Sequence, residues 1–180
     1  MARKLPISPD TSYMLGLYRC NNASSSLRLN TPSKELVARF VKIASMELGT
    51  RTESISITSS GSMMDVNISN SRLKKLLDDA LEKRDRIFKY KNEYSASYFA
   101  GMFDCNGATD RKGVYIRDMD KHDSMLLERI GFLTTSSHGK CYLRKSMDFI
   151  MFISPFSVKA RAVRMPLGRA AGHAVRRPHV

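Results

Sequence analysis

The sequence predicts an α+β fold built from two related halves about a pseudo-twofold axis, followed by a basic, extended C-terminal tail. Three observations predict it. One short segment occurs twice, each copy precedes the same order of helices and strands, and the residues after the second half are rich in arginine. The 180 residues carry 30 Lys and Arg against 17 Asp and Glu, a net charge of +13. Nucleic acid is the usual partner of so basic a chain.

The repeated segment reads SYMLGLYRCNN at residues 12–22 and SYFAGMFDCNG at residues 97–107. Identical residues align at one offset of 85: Tyr13 with Tyr98, Gly16 with Gly101, Cys20 with Cys105, and Asn21 with Asn106. The glycine and the cysteine of each copy lie four residues apart, so they share one face of a helix. We therefore expect two helices that pack closely at a half–half interface formed by Gly16, Cys20, Gly101 and Cys105.

The elements after the first copy follow from periodicity and turn residues. Residues 24–30 alternate as a strand. Thr31 and Pro32 open a helix, as cap and first helical residue, and that helix ends at Gly49. A hairpin turns at residues 59–61, and a last helix begins at about Asn70.

The second copy is followed by the same succession. Residues 113–118 form a strand, Asp120 caps a helix that Gly131 stops, and a hairpin turns at residues 137–139. Residues 146–156 close this half as a short helix. Each half thus reads helix, strand, helix, hairpin, helix. The predicted organisation is an N-terminal arm (1–8), a first half (9–92), a second half (93–156) and a basic RNA-binding tail (157–180).

The tail combines arginine with alanine, glycine and proline, and it has no regular apolar face. Such a segment buries too little surface to fold by itself, whereas its arginines can each bind a phosphate through two hydrogen bonds. The predicted nucleic-acid contacts are Lys159, Arg161, Arg164, Arg169, Arg176 and Arg177. A second basic run supplies Lys83, Arg84, Arg86, Lys89 and Lys91, although intermixed acids are typical of a solvated helix face.

Other features limit the function classes. The chain has no apolar run of about 20 residues and no signal-peptide segment, so we expect a cytoplasmic protein without membrane contact. Its three cysteines form no C-x-x-C pair and its four histidines show no metal spacing. We therefore expect no metal, no disulfide and no cofactor.

The nine residues from Met14 to Asn22 and from Phe99 to Gly107 resemble the motif of the LAGLIDADG homing endonucleases and maturases. The resemblance covers about residues 9–154. It implies that the two motif helices pack together, and that in active members an acid at the eighth position of each motif holds divalent metal over the scissile phosphates.

The eighth positions of this chain are Asn21 and Asn106. Asparagine keeps a carbonyl oxygen but carries no charge, whereas Mg²⁺ prefers charged oxygen ligands. At ~4 Å and an effective dielectric of ~20, each lost charge removes about 8 kcal/mol of attraction for a 2+ ion before solvation is counted. We therefore expect a catalytically inactive protein.

Two further departures concern the sixth motif position and the strands. Asp104 occupies the sixth position of the second motif and Arg19 that of the first, so we expect a helix cap or a salt bridge rather than a metal pair. Only about ten residues separate Asn21 from the next helix, and about thirteen separate Asn106 from Asp120. These short strands argue against reading of a long DNA site.

Three hypotheses remain open. The leading one is a non-catalytic LAGLIDADG-like protein that binds structured RNA, most plausibly ribosomal RNA within the ribosome beside other ribosomal proteins. The second is a nuclease-dead, sequence-specific DNA-binding regulator. The third is a maturase or a residual nuclease that uses other acids, such as Asp65, Asp104 or Asp118.

Overall fold

A pair of helices, one from each half, forms the centre of the fold. The structure is a computed structural model that describes residues 5–20 and 27–162. The helices are α1 (Pro9–Cys20) and α5 (Glu93–Asn106), and their side chains are buried on every face over residues 11–18 and 95–104. A helix that is buried on every face lies within a protein core, and this pair forms the centre of the core.

The remaining elements of the first half follow α1 in chain order. They are β1 (Leu27–Thr31), α2 (Lys34–Lys42), β2 (Ile55–Ser60), β3 (Met63–Ile68), α3 (Ser71–Glu82) and the short α4 (Arg84–Ile87). A π-helical turn (Ile43–Glu47) continues α2, and a 3₁₀ turn (Thr52–Ser54) precedes β2. The strands form an antiparallel sheet in the order β1-β3-β2.

The second half repeats this arrangement with one more strand. After α5 come β4 (Gly107–Asp110), β5 (Gly113–Arg117), α6 (Lys121–Arg129), β6 (Thr134–Ser137), β7 (Lys140–Leu143), α7 (Ser146–Ile153) and α8 (Val158–Ala162). The sheet is antiparallel in the order β4-β5-β7-β6. The predicted α+β fold with two related halves is confirmed. No helix among the described residues is both long and apolar enough to span a membrane.

The two central helices touch through their glycines. A Cβ atom added to Gly16 would lie 2.0 Å from the carbonyl oxygen of Tyr98, and one added to Gly101 would lie 2.2 Å from that of Tyr13. Residues 13–17 of α1 thus meet residues 98–102 of α5 in the same order, so the helices run parallel. Their C-terminal ends therefore lie at the same end of the molecule.

The cysteines lie one turn beyond this contact. The Cys20 thiol is 3.6 Å from the carbonyl oxygen of Met102. A hydrogen bond with Cys105, together with burial, raises the pKa of the Cys20 thiol. The structure thus places all four residues predicted for the half–half interface along one seam.

The structure corrects the start of α2. Thr31 and Pro32 do not open this helix, because Thr31 is the last residue of β1 and pairs with Met64. The N-cap is Ser33, whose side chain accepts a hydrogen bond from the Leu36 amide at 3.2 Å. A hydroxyl that satisfies an otherwise orphaned amide is a stronger helix start than proline alone.

The structure also shows elements that periodicity did not predict. The last helix of the first half is interrupted at Lys83, which separates α3 from α4. Strand β4 was missed because the residues Gly-Ala-Thr-Asp lack an apolar alternation, and it lies at a sheet edge. Helix α8 was missed because its sequence, Val-Lys-Ala-Arg-Ala, falls within the predicted extended tail.

The glycine contact leads to a stability prediction. The variant Gly16→Ala forces a Cβ atom into the backbone of α5, so we expect it to lower the free energy of unfolding by more than about 3 kcal/mol. The matched control is Gly61→Asn, at a hairpin glycine with φ of +60° and open space around it, where we expect a change within about 1 kcal/mol. Chemical denaturation measures both. Equal losses would contradict a close helix crossing.

Candidate nucleic-acid interface

The sheet of the second half has one apolar face and one basic, aromatic face. Side chains alternate along a strand, and the register places Tyr115 beside Tyr142 and Arg117 beside Lys140 on the face opposite the core. The two tyrosine rings lie 5.4 Å apart. The apolar face consists of buried side chains from β5 and β7: Val114, Ile116, Cys141 and Leu143.

One acid holds the centre of this basic face in place. The carboxylate of Asp110 accepts hydrogen bonds from the Lys140 ammonium at 2.8 Å and from the Tyr142 hydroxyl at 2.9 Å. The bond from Lys140, followed by one from the Lys112 amide, lowers the pKa of Asp110 to about 2. The ammonium lies 4.3 Å from the ring centroid of Tyr115, which is only 4% exposed. An ion pair with Asp110 therefore fixes Lys140 above a tyrosine.

More cations surround this face. Arg144 is exposed and donates to the Thr135 hydroxyl at 3.1 Å, on the neighbouring edge strand. A groove of about 370 Å³ lies between the β4–β5 and β6–β7 turns. Its lining residues are Asp110, Arg111, Lys112, Ser137, His138, Lys140 and Tyr142. The outward face of the second half is thus predominantly positive.

The outward face of the first half is polar but electrically balanced. The register aligns Arg28 with Asn67, and Asn30 with Asp65, on the side opposite buried Leu27 and Leu29. Arg28 donates two hydrogen bonds to Asp65, at 2.7 and 2.5 Å. These bonds lower the pKa of the Asp65 carboxyl. Ser56 and Thr58 of β2 lie on the same face. Asp65 is therefore paired with an arginine.

The end of α5 carries a lysine from the C-terminal segment. Asn106, the eighth residue of the second motif, is the last residue of the helix. The Lys159 ammonium lies 3.2 Å from the carbonyl oxygen of Cys105 and 3.5 Å from that of Gly107, on either side of Asn106. Asn21, the equivalent residue of the first motif, lies outside the described residues.

These residues do not fit a divalent metal. Asn106 contributes no charge, and an ammonium already bonds the two neighbouring carbonyls. Within residues 5–20 and 27–162, no group of three or more His, Cys, Asp or Glu side chains could hold a metal ion. Hard divalent ions require charged oxygen ligands. The acid in the last turn of α5, Asp104, is already bonded to the backbone amides of Val158 and Lys159.

Asp104 acts as a helix cap. Its buried carboxylate accepts hydrogen bonds from the Ser157 hydroxyl (2.5 Å) and from the backbone amides of Val158 (2.7 Å) and Lys159 (2.8 Å). A fourth bond comes from the Tyr13 hydroxyl of the other half, at 2.5 Å. The cap predicted for the sixth motif position is found here. It fixes the start of α8 against α5.

Arg19 occupies the equivalent position of the first motif and requires a different arrangement. It donates to Asp123 at 2.9 Å and lies 2.8 Å from Asp120, both in the second half. Arg84 bonds the same two carboxylates. The Tyr98 hydroxyl donates to Asp123 at 2.8 Å, as Tyr13 does to Asp104. Asp123 therefore binds the tyrosine of the second motif as Asp104 binds that of the first, and burial raises the pKa of Asp123.

The predicted phosphate contacts are placed differently from expectation. Arg84 is not available to a phosphate, because its guanidinium is bonded to the carboxylates of Asp120 and Asp123. Arg161 donates to the carbonyl oxygens of Pro155 at 2.8 Å and Ser154 at 3.3 Å, so it caps the segment after α7. The other cations of the second basic run are exposed near the linker between the halves: Lys83, Arg86, Lys89 and Lys91. Arg164, Arg169, Arg176 and Arg177 lie outside the described residues.

The outward-facing cations of the second sheet were not among the residues predicted to bind nucleic acid. Arg117, Lys140 and Arg144 alternate with or flank apolar strand positions, and this period-two pattern was the signal that could have identified them.

Comparison with solved structures finds this fold in the homing endonuclease I-DmoI. A complex of I-DmoI with DNA and Ca is 19% identical, with a TM-score of 0.65 over 87% of this chain and 97% of that one. A complex with DNA and Mn is 20% identical, with a TM-score of 0.61 over 82% and 97%. Mesophilic variants of I-DmoI are 18% identical, with a TM-score of 0.63 over 82% and 96%. No family model and no curated protein matches the sequence.

The Asp104 cap leads to a second prediction. Asp104→Asn replaces one acceptor oxygen with a donor that faces other donors, so we expect a loss of about 2–4 kcal/mol in the free energy of unfolding. We also expect faster trypsin cleavage after Lys159 and Arg161, because α8 loses its anchor. The control, Asp148→Asn, changes an exposed acid of α7 and should behave as the parent chain does. Unchanged trypsin protection in Asp104→Asn would contradict the anchoring role.

Proposed function

Since the chain has the LAGLIDADG homing endonuclease fold, we propose that it binds duplex DNA on the outward faces of its two sheets and does not cleave it. The observation that carries this proposal is that one of these faces is rich in cations and the other in neutral polar side chains. The second half presents Arg117, Lys140 and Arg144, of which Lys140 is ion-paired with Asp110 and Arg117 is followed by Asp118. The edge groove beside them adds two further cations, Arg111 and Lys112. The first half presents a row of neutral polar side chains and one internal ion pair.

The dimensions of the sheets suit a short site. Strands of four to six residues span about 13–20 Å, and the DNA major groove, about 12 Å wide, admits a two-stranded β-ribbon. Exposed amide and hydroxyl side chains such as Asn30 and Thr58 can bond base edges, while exposed guanidiniums bind phosphates. The short strands that the spacing predicts therefore limit the length of the site and leave a binding face in each half.

The chemistry at the end of α5 supports the proposed absence of cleavage. Two-metal cleavage needs carboxylates to hold divalent ions over the phosphates, and Asn106 with Lys159 provides an amide and a positive charge instead. Asp104 is fully engaged as a cap, Asp65 is paired with Arg28, and Asp118 belongs to no metal-ligating group among the described residues. A nuclease or maturase that relies on these acids is the less favoured alternative.

The RNA hypothesis has less support than the DNA proposal. It depends on the C-terminal arginines, of which four lie outside the described residues and the fifth, Arg161, bonds backbone carbonyls. The structures that share this fold include complexes of I-DmoI with DNA. A ribosomal role is therefore not proposed.

A binding selection tests the proposal. We expect a random duplex DNA library to yield a consensus site, and structured RNA to compete only weakly. Arg117→Ser with Arg144→Ser should weaken DNA binding tenfold or more at about 100 mM salt and reduce the log–log salt slope by about two, because two phosphate contacts are lost. Fluorescence anisotropy measures both quantities.

The matched control removes the same two charges elsewhere. Lys83 and Arg86 are exposed near the linker between the halves. The double variant Lys83→Ser with Arg86→Ser should therefore change the affinity for DNA far less. Enrichment of structured RNA without any DNA consensus would overturn the proposal.

Cleavage is tested separately on the selected site. We expect no nicking of this DNA by the parent chain with millimolar Mg²⁺ or Mn²⁺, because neither eighth motif position is acidic. The assay compares supercoiled plasmid bearing the site, with and without EDTA. Metal-dependent nicking that is specific to the selected site would show that the chain is a nuclease.

A further inference from the structure

The backbone that carries Lys159 is held firmly at the motif end of α5. The Asp104 carboxylate accepts hydrogen bonds from the backbone amides of Val158 and Lys159. The Ser157 hydroxyl donates to Asp104 at 2.5 Å and accepts a hydrogen bond from the Ala160 amide at 2.9 Å. The first turn of α8 is therefore fixed by five hydrogen-bonding groups at one point. The side chain of Lys159 extends from this turn to the last carbonyls of α5.

The end of α5 attracts a cation for a general reason. The last carbonyls of a helix have no partner within the helix and carry a partial negative charge. The Lys159 ammonium bonds that of Cys105, and also the carbonyl of Gly107, the residue that follows the helix. An ammonium has three N–H donors, and these two carbonyls use two of them. Within the described residues, no third acceptor contacts this nitrogen, so one donor remains for an external group.

The location of this donor connects it to the DNA-binding faces. Asn106 ends α5, and β4, which begins at Gly107, is the first strand of the basic sheet. The ammonium thus lies where the central helix passes into the sheet, at the end of the molecule that α1 and α5 share. The motif resemblance implies a divalent cation at this place, and the residues present do not fit one.

We propose that the Lys159 ammonium binds a phosphate at the centre of the DNA site, in the place of a divalent cation. This inference rests on the proposed DNA binding. Two backbone carbonyls and the capped turn hold the charge in position before DNA arrives, so little side-chain entropy is lost on binding. One consequence is that the affinity for DNA does not depend on Mg²⁺.

A purely structural role makes a different prediction. If Lys159 only caps α5, its removal lowers thermal stability and leaves the number of phosphate contacts unchanged. If it also binds phosphate, its removal reduces the salt dependence of DNA binding. Salt slope and melting temperature therefore separate the two roles.

The experiment measures the affinity of the full chain for its selected duplex against salt concentration. Lys159→Met should bind about three- to tenfold more weakly at low salt and lower the slope by about 0.9, the value for one phosphate contact. Lys159→Arg should restore both. Arg161→Met is the control, because Arg161 lies on the same helix and bonds the carbonyls of Ser154 and Pro155. It should leave the slope unchanged.

The outcomes are distinct. Two results would overturn the inference alone. One is that folded Lys159→Met binds DNA with the same salt slope as the parent chain. The other is that the affinity of the parent chain for DNA falls when EDTA replaces Mg²⁺ at matched ionic strength. Failure of the parent chain to bind any duplex DNA would overturn the proposed function, and the inference with it.

Discussion

The contact between Gly16 and Gly101 is the constraint on which the other features depend. With a hydrogen atom in place of each side chain, the backbones of α1 and α5 touch, and no other residue fits there without displacing a carbonyl. This close approach brings Tyr13 within reach of Asp104, and Cys20 within reach of Met102. A wider seam would separate these partners. The parallel packing also places both motif ends at one side of the molecule.

Charge at the seam is arranged unequally in the two halves. One sixth-position residue is an acid that caps a helix, and the other is an arginine bound by carboxylates at the start of α6. Removing a charge from water is costly unless hydrogen bonds and an opposite charge compensate it. Both groups meet this condition: Asp104 accepts four hydrogen bonds, and Arg19 lies beside Asp120 and Asp123. The same fold thus accommodates opposite charges at equivalent positions.

The sequence predicts the duplication, most helices and both hairpins, because apolar periodicity and turn residues are local signals. His138 and Gly139, for example, have positive φ values at the predicted hairpin turn. Local signals could not predict that Arg84 binds acids of the other half or that Arg161 bonds carbonyls after α7, since these partners depend on the three-dimensional packing. For that reason, counting basic residues overestimated the cations available to a ligand. Strand alternation could have indicated that Arg117 and Lys140 face away from the core, but only the strand register shows that they lie side by side.

The unequal sixth positions also bear on how the two halves recognise each other. Asp123 and Leu36 are equivalent residues, since each is the third residue after its helix cap, Asp120 and Ser33 respectively. A symmetric pair of first halves would leave Arg19 opposite a leucine, with no carboxylate to bind. The first half is therefore committed to the second as its partner. The seam therefore has the character of an interface between two different partners within one chain, and a second copy of the first half could not replace the second half without leaving Arg19 unpaired.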